Sequence, residues 1–225
     1  MIVSIDGPSG AGKSTLGKML AKSLGLLYVD SGAMYRAVAL GVVRRDIGLN
    51  ESDRVAEVAR SVSIELRGEP DNLRVLLDGE DVTSEIRTVK IAQAASVVST
   101  NSDVRFTMVQ HQRKLGLIAP SGCVLEGRDI GSVVFPNADL KFFLTATPEA
   151  RARRRFQEDS LQGRAVSYEQ TLAEINERDH RDVSRQDSPL TIPDNAVVID
   201  TSELDLTEVF GKMIEAVKEK ESKSK

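Results

Sequence analysis

Residues 2–15, IVSIDGPSGAGKST, leave few architectures open to this chain. Ile2 to Ile5 is a short apolar run of the length that suits a buried strand. Gly7-Pro8-Ser9-Gly10-Ala11-Gly12-Lys13-Ser14 then satisfies G-x-x-x-x-G-K-[ST] in full. A helical stripe of Leu16, Met19, Leu20 and Leu24 follows, with Gly25 as its stop. Strand, glycine loop and helix in that order predict inward-pointing N–H groups at a helix N-terminus, which attract phosphate. Lys13 is placed to reach β- and γ-phosphates and the Ser14 hydroxyl to ligate magnesium. A mere linking turn would not need the whole motif in this setting, so a nucleoside triphosphate site is expected.

The remaining chain alternates short apolar runs with helical stripes. Strands are expected at 26–29, 123–125, 140–144 and 196–200, and helices over 31–45, from Ser52, over 88–98, over 102–115 and from Leu206 to Val217. Ser31 and Ser52 are read as helix caps, Thr147-Pro148-Glu149 as a helix start, and Ser167-x-x-Gln170 as a capping box whose helix runs to about Asp182. The end after Val217 is expected to fray. Between helices, 63–67 and 73–77 read as a hairpin, with Asp81-Val82-Thr83 as a short third strand.

This pattern predicts an α/β fold: a five-stranded parallel sheet with helices on both faces, plus a small inserted antiparallel β lobe. Residues 1–61 and 84–225 would form the core and 62–83 the insert. Ligands of such sheets bind beyond the carboxyl ends of the strands, so the loop, Asp30, Glu126, Arg128 and Asp129 should share one crevice.

Composition narrows the classes further. A net charge of −4 offers no general attraction for nucleic acid polymers or anionic membranes, so any polyanion must meet a local basic cluster. The single cysteine, Cys123, excludes an intrachain disulfide and reads as a buried structural thiol in a reducing, cytoplasmic setting. Only two histidines accompany it, and no zinc constellation is readable. No run is long and apolar enough to span a bilayer, and a monomer is expected.

Such a basic cluster exists. Arg151, Arg153, Arg154 and Arg155 crowd one helical turn, at a cost in like-charge repulsion. Guanidinium groups suit bidentate phosphate contacts, and the stretch of about 151–167 reads as a lid whose arginines close over a triphosphate. Arg178, Asp182 and Arg185 share one side of a later helix, where spacing alone leaves a ligand site and an exposed ion-pair network equally open.

Together with the phosphate loop, Asp30-Ser31-Gly32-Ala33-Met34-Tyr35-Arg36, Glu126-Gly127-Arg128-Asp129-Ile130-Gly131 and Glu177-Arg178-Asp179-His180-Arg181-Asp182 resemble the bacterial cytidylate kinases, over nearly the whole chain. The resemblance implies transfer of the ATP γ-phosphate to CMP or dCMP, with Mg2+. It implies ATP on Gly7 to Thr15, with Lys13, Arg128, Arg151, Arg154 and Arg155 as catalytic groups. Ser31, Arg36, Arg128, Arg178 and Arg185 would hold the acceptor. Ser96, Arg105 and Asp129 would read cytosine, Asp182 would face the sugar, and Glu126 would serve magnesium through water. A GTPase-like switch would want N-K-x-D and D-x-x-G segments, which are absent. A kinase of small metabolites would not need so many arginines outside the loop.

Overall fold

The computed structural model describes residues 1–161 and 163–223, so Gln162 in the expected lid and the last two residues of the expected core lie outside the described residues. Its main sheet holds β1 (Ile2–Asp6), β2 (Leu27–Asp30), β6 (Cys123–Gly127), β7 (Leu140–Thr145) and β8 (Val197–Asp200), all parallel, in the order β2-β6-β1-β7-β8. The register aligns Asp30 with Glu126 and Asp6 with Gly127, so the polar ends of β1, β2 and β6 form one row.

Alternation along the strands feeds two cores. On β6, Cys123 and Leu125 face one and Val124 the other. The second core is closed by α1 (Lys13–Leu24) and α8 (Leu206–Lys223). Burying Leu16 and Leu20 of α1 contributes about 1.5–3 kcal/mol each. The first core is covered by α2 (Ser31–Arg44), α3 (Ser52–Ser61), α4 (Val89–Val98) and α5 (Ser102–Ile118). A separate antiparallel sheet of β3 (Ile64–Arg67), β4 (Arg74–Leu77) and β5 (Glu80–Asp81) packs Ile64, Val75 and Leu77 into this same core. The carboxyl half adds α6 (Pro148–Leu161) and α7 (Tyr168–Ser184).

Several local expectations shift. Asp30, not Ser31, caps α2, its Oδ1 accepting from Ala33 N at 2.8 Å; the Ser31 hydroxyl instead donates to the Glu126 carbonyl at 2.6 Å. Glu51 precedes α3 in the cap position without a side-chain cap bond, and Ser52 is already helical. The third strand of the small sheet is Glu80–Asp81 rather than 81–83. The last helix continues past Val217 to Lys223, and α7 past Asp182 to Ser184. The capping box at Ser167 and Gln170 forms, as does the Thr147 cap, which accepts from Ala150 N at 3.2 Å. Cys123 is fully buried, which pushes its thiol up to about 11 and disfavours the reactive thiolate.

Candidate active site

A cleft of about 810 Å³ opens at the carboxyl ends of the main sheet, near the upper end of the ordinary range for small-molecule sites (about 300–1,000 Å³). One wall is the phosphate loop from Ser9 to Thr15, leading into α1. Gly7 anchors the loop's base: its φ is +143°, and a Cβ there would lie 1.9 Å from the Leu144 carbonyl oxygen, so only glycine fits. Lys13 is buried and donates to the Pro8 carbonyl at 2.7 Å. Burial and the nearby Arg128 push its ammonium well below the usual value.

Beneath the loop sits Glu126 at the end of β6. Tyr28 Oη donates to Glu126 Oε1, and the Ser14 hydroxyl lies beside the same carboxylate. Burial, reinforced by Asp30, pushes the Glu126 carboxyl up. Charge is thus expensive here on both the lysine and the carboxylate.

The opposite wall is assembled from side chains of distant segments. Arg36 on α2 lies 3.2 Å from Asp30, Arg128 after β6 donates to Asp182 Oδ2 at 2.7 Å, and Arg178 on α7 lines the same wall. Burial comes first, then Arg128, Arg36 and Arg155, in pushing the Arg178 guanidinium down to about 10. Four cations therefore face one another, with Asp182 the main counter-charge. Nε of Arg36, Nε of Arg178 and Nη2 of Arg185 are buried without a hydrogen-bond partner, an arrangement whose cost an anionic ligand would remove.

Farther in, Arg105 pairs with Asp129 in a buried ion pair, donates to the Ser99 carbonyl at 3.2 Å, and lies 5.6 Å above the Tyr35 ring centroid. Ser96 Oγ and Arg105 Nε, both buried in this recess, lack partners. The recess therefore offers an acceptor carboxylate and unpaired donors side by side, a set suited to a base edge.

The structure brings the expected residues into the cleft wall with three exceptions. Gly7 and Pro8 lie below the lining, which starts at Ser9. Arg151 turns inward from α6: it donates to the carbonyls of Ala146 (2.9 Å) and Ser9 (3.1 Å) and pairs with Asp179 at 2.5 Å. Helical spacing put Arg151 on the face of Arg154 and Arg155, but that face meets the loop's flank, so Arg151 is a strut rather than a free finger. Arg154 lines the cleft yet is tied to Thr201, whose hydroxyl also donates to the Ala11 carbonyl at 3.4 Å. Arg155 lines the cleft between Asp159 (3.8 Å) and Glu174 (3.4 Å).

Asp6, Tyr28, Asp179, Thr201 and Arg164 are given no individual role by the sequence. Only Asp6 carries a signal, as a carboxylate ending an apolar strand directly before the glycine loop.

Comparison with known proteins finds relatives of one family. Residues 3–219 match the family model described as Cytidylate kinase. A cytidylate kinase of Caldanaerobacter subterraneus subsp. tengcongensis is 51% identical over 216 residues, covering 96% of this chain and 94% of the relative. One from Geobacter sp. (strain M21) is 46% identical over 220 residues, covering 98% and 94%. Among solved structures, an uncharacterized protein from Eubacterium ventriosum superposes with a TM-score of 0.53 at 12% identity, covering 97% of this chain and 98% of the other. That similarity concerns the fold alone.

Proposed function

The chain belongs to the cytidylate kinase family, and from that premise we propose how its cleft works. The reaction is ATP-dependent phosphorylation of CMP and dCMP. An oxygen of the acceptor phosphate attacks the γ-phosphorus, the bond to the β–γ bridging oxygen breaks, and ADP leaves.

The acceptor phosphate is already anionic near neutral pH, so no general base is needed. The obstacle is bringing two polyanions into line. ATP lies along residues 7–15, with Lys13 on its β- and γ-phosphates. The acceptor phosphate lies among Arg36, Arg128 and Arg178, with Ser31 and Arg185 beside it and Asp182 toward the sugar. Asp129 accepts from the exocyclic amine of cytosine while Arg105 and Ser96 meet its remaining polar edge. Arg154, Arg155 and the strut Arg151 belong to the lid, 151–167, whose closure excludes water. The observation that carries this reading is the convergence of Arg36, Arg128, Arg178 and Arg185, three of them with a buried donor left unpaired, opposite the glycine loop.

Mg2+ fits the donors present. The Ser14 hydroxyl, Glu126 and Asp30 are oxygen groups within one corner. Among the described residues no cluster of three His, Cys, Asp or Glu is arranged to hold a metal. That suits an ion held by Ser14 and substrate phosphates, with Glu126 acting through water. When bound it neutralises charge on the transferring phosphoryl group.

We take residues 62–83 as a lobe of the acceptor half, set on 1–61 and 84–225. Its sharing of a core with α2 and α4, which carry Arg36 and Ser96, supports that division. We further propose a monomer of the cytoplasm that binds free nucleotides. The buried lone thiol supports the compartment, and among the described residues no helix is long and apolar enough to cross a membrane. The test is ADP production against a panel of nucleoside monophosphates with Mg-ATP. CMP and dCMP should turn over fastest; a purified enzyme phosphorylating none of them would overturn the reading.

A further inference from the structure

Asp6 ends β1 immediately before the phosphate loop, is completely buried, and is not among the residues lining the cleft. Its carboxylate reaches across to the segment that follows β6. Oδ1 accepts from Ile130 N at 2.8 Å and Oδ2 from Gly131 N at 2.7 Å. Those amides open a short π-helical turn, Ile130–Val134. The first N–H groups of any helical turn lack partners within it and are ordinarily capped by the side chain at the position just before.

Here that position belongs to Asp129, and Asp129 makes no side-chain cap bond. Its main-chain oxygen takes Val133 N (2.9 Å) and Val134 N (3.1 Å), while its carboxylate turns away to Arg105. Asp6 thus does from 124 residues away what Asp129 would otherwise do locally. The contact is tight: a Cβ on Gly131 would come within 2.7 Å of Ser4 Oγ and 3.2 Å of Asp6 Oδ2.

We infer that Asp6 is a positioning residue for selection of the acceptor base: by capping the 130–134 turn from β1, it keeps the Asp129 carboxylate facing Arg105 and the base. The inference rests on the reading of Asp129 as a cytosine ligand. It also ties base recognition to the phosphate loop, because Asp6 is bonded directly to Gly7.

The test measures kcat/KM for CMP and for UMP, which differ at the group Asp129 meets, in the wild type, Asp6→Asn, Asp129→Asn and the double variant. Asparagine keeps the shape of Asp6 but turns an NH2 group toward one of the two amides, returning that amide to competition for Asp129. The CMP-over-UMP ratio should fall about tenfold in Asp6→Asn, with KM for ATP moving less than about twofold. On the Asp129→Asn background, Asp6→Asn should barely move the ratio, because residues acting through one group are non-additive.

An unchanged ratio in Asp6→Asn, or full additivity in the double variant, would overturn the inference while leaving the cytosine assignment standing. A wild type without preference for CMP would overturn both. Should Asp6→Asn not fold, amide exchange in the wild type decides: Ile130 and Gly131 must exchange as slowly as the β1 amides, and rapid exchange at either removes the cap.

Discussion

The two halves of the cleft are built on opposite plans. The half we assign to the donor is nine consecutive residues whose backbone would form the site, and its one long cation is already satisfied, Lys13 resting on the Pro8 carbonyl. The half we assign to the acceptor draws Arg36, Ser96, Arg105, Arg128, Arg178 and Arg185 from α2, α4, α5, the loop after β6, α7 and the residue just past α7, and leaves several of their donors unpaired. A backbone site tolerates the absence of its ligand because its N–H groups are small, fixed dipoles. A side-chain site concentrates full charges that repel until an anion arrives. The acceptor half should therefore sacrifice stability for function more than the donor half does.

Lys13→Ala tests the donor side and should have the largest effect. Turnover should drop on the order of 10³-fold, as when a major charge-stabilising donor is removed. Thermal stability should hold or rise, since burial already disfavours the ammonium. Near-normal turnover would remove the loop's assignment.

Arg178→Ala probes the other half. We expect kcat/KM for CMP to fall about 10²-fold while KM for ATP moves less than about twofold. Its melting temperature should increase, because Arg128, Arg36 and Arg155 lose a like-charged neighbour. If KM for ATP rose as much as KM for CMP, the division into halves would fail. A lower melting temperature would mean that Asp182 outweighs the three arginines.

The contrast also explains what could be read from sequence. The donor half is contiguous, so its residues, spacing and local conformation all stand in one line of text. The sheet was legible for a related reason: each strand is an apolar run bounded by polar ends. The acceptor residues lie within single segments that are individually ambiguous, and the Arg178, Asp182, Arg185 spacing fits an exposed ion-pair face equally well. Here resemblance to a family supplied what periodicity could not. Two features stayed hidden because their cause is remote in sequence. The inward turn of Arg151 depends on what α6 packs against, and the turn at 130–134 depends on Asp6. The choice of Asp30 over Ser31 as cap is similar, since Ser31 is drawn to a carbonyl 95 residues away.

Arg151 joins the halves and gives a smaller effect. Asp179→Asn removes the charge partner of a guanidinium that also holds the Ser9 carbonyl. The side chains are 3% and 24% exposed, so the pair is sheltered enough to matter, and about 1–2 kcal/mol should be lost in urea unfolding. KM for ATP should rise more than KM for CMP, because the strut contacts the phosphate loop. The reverse order would place Arg151 with the acceptor arginines instead.

The final test concerns Asp6, where the halves meet. Its carboxyl is pushed up to about 7, chiefly by burial and with help from Asp129; Lys13 and the amides of Gly131 and Ile130 pull the other way. In the unfolded chain it returns to the ordinary range near 4. Between those values the folded state holds a proton that the unfolded state has released, so stability declines as pH rises from about 4 to about 7 and then levels off. Asn cannot titrate. The folding free energy of Asp6→Asn should therefore vary less with pH than the wild type's across that window, by on the order of 1 kcal/mol for each pH unit. Other buried groups such as Glu126 are common to both proteins and cancel in the difference. Parallel stability profiles from pH 5 to pH 8 would show that Asp6 is ionised throughout, so that the amides of Ile130 and Gly131 outweigh burial. The link between the two halves would then be a permanent charge rather than one that protonation can loosen.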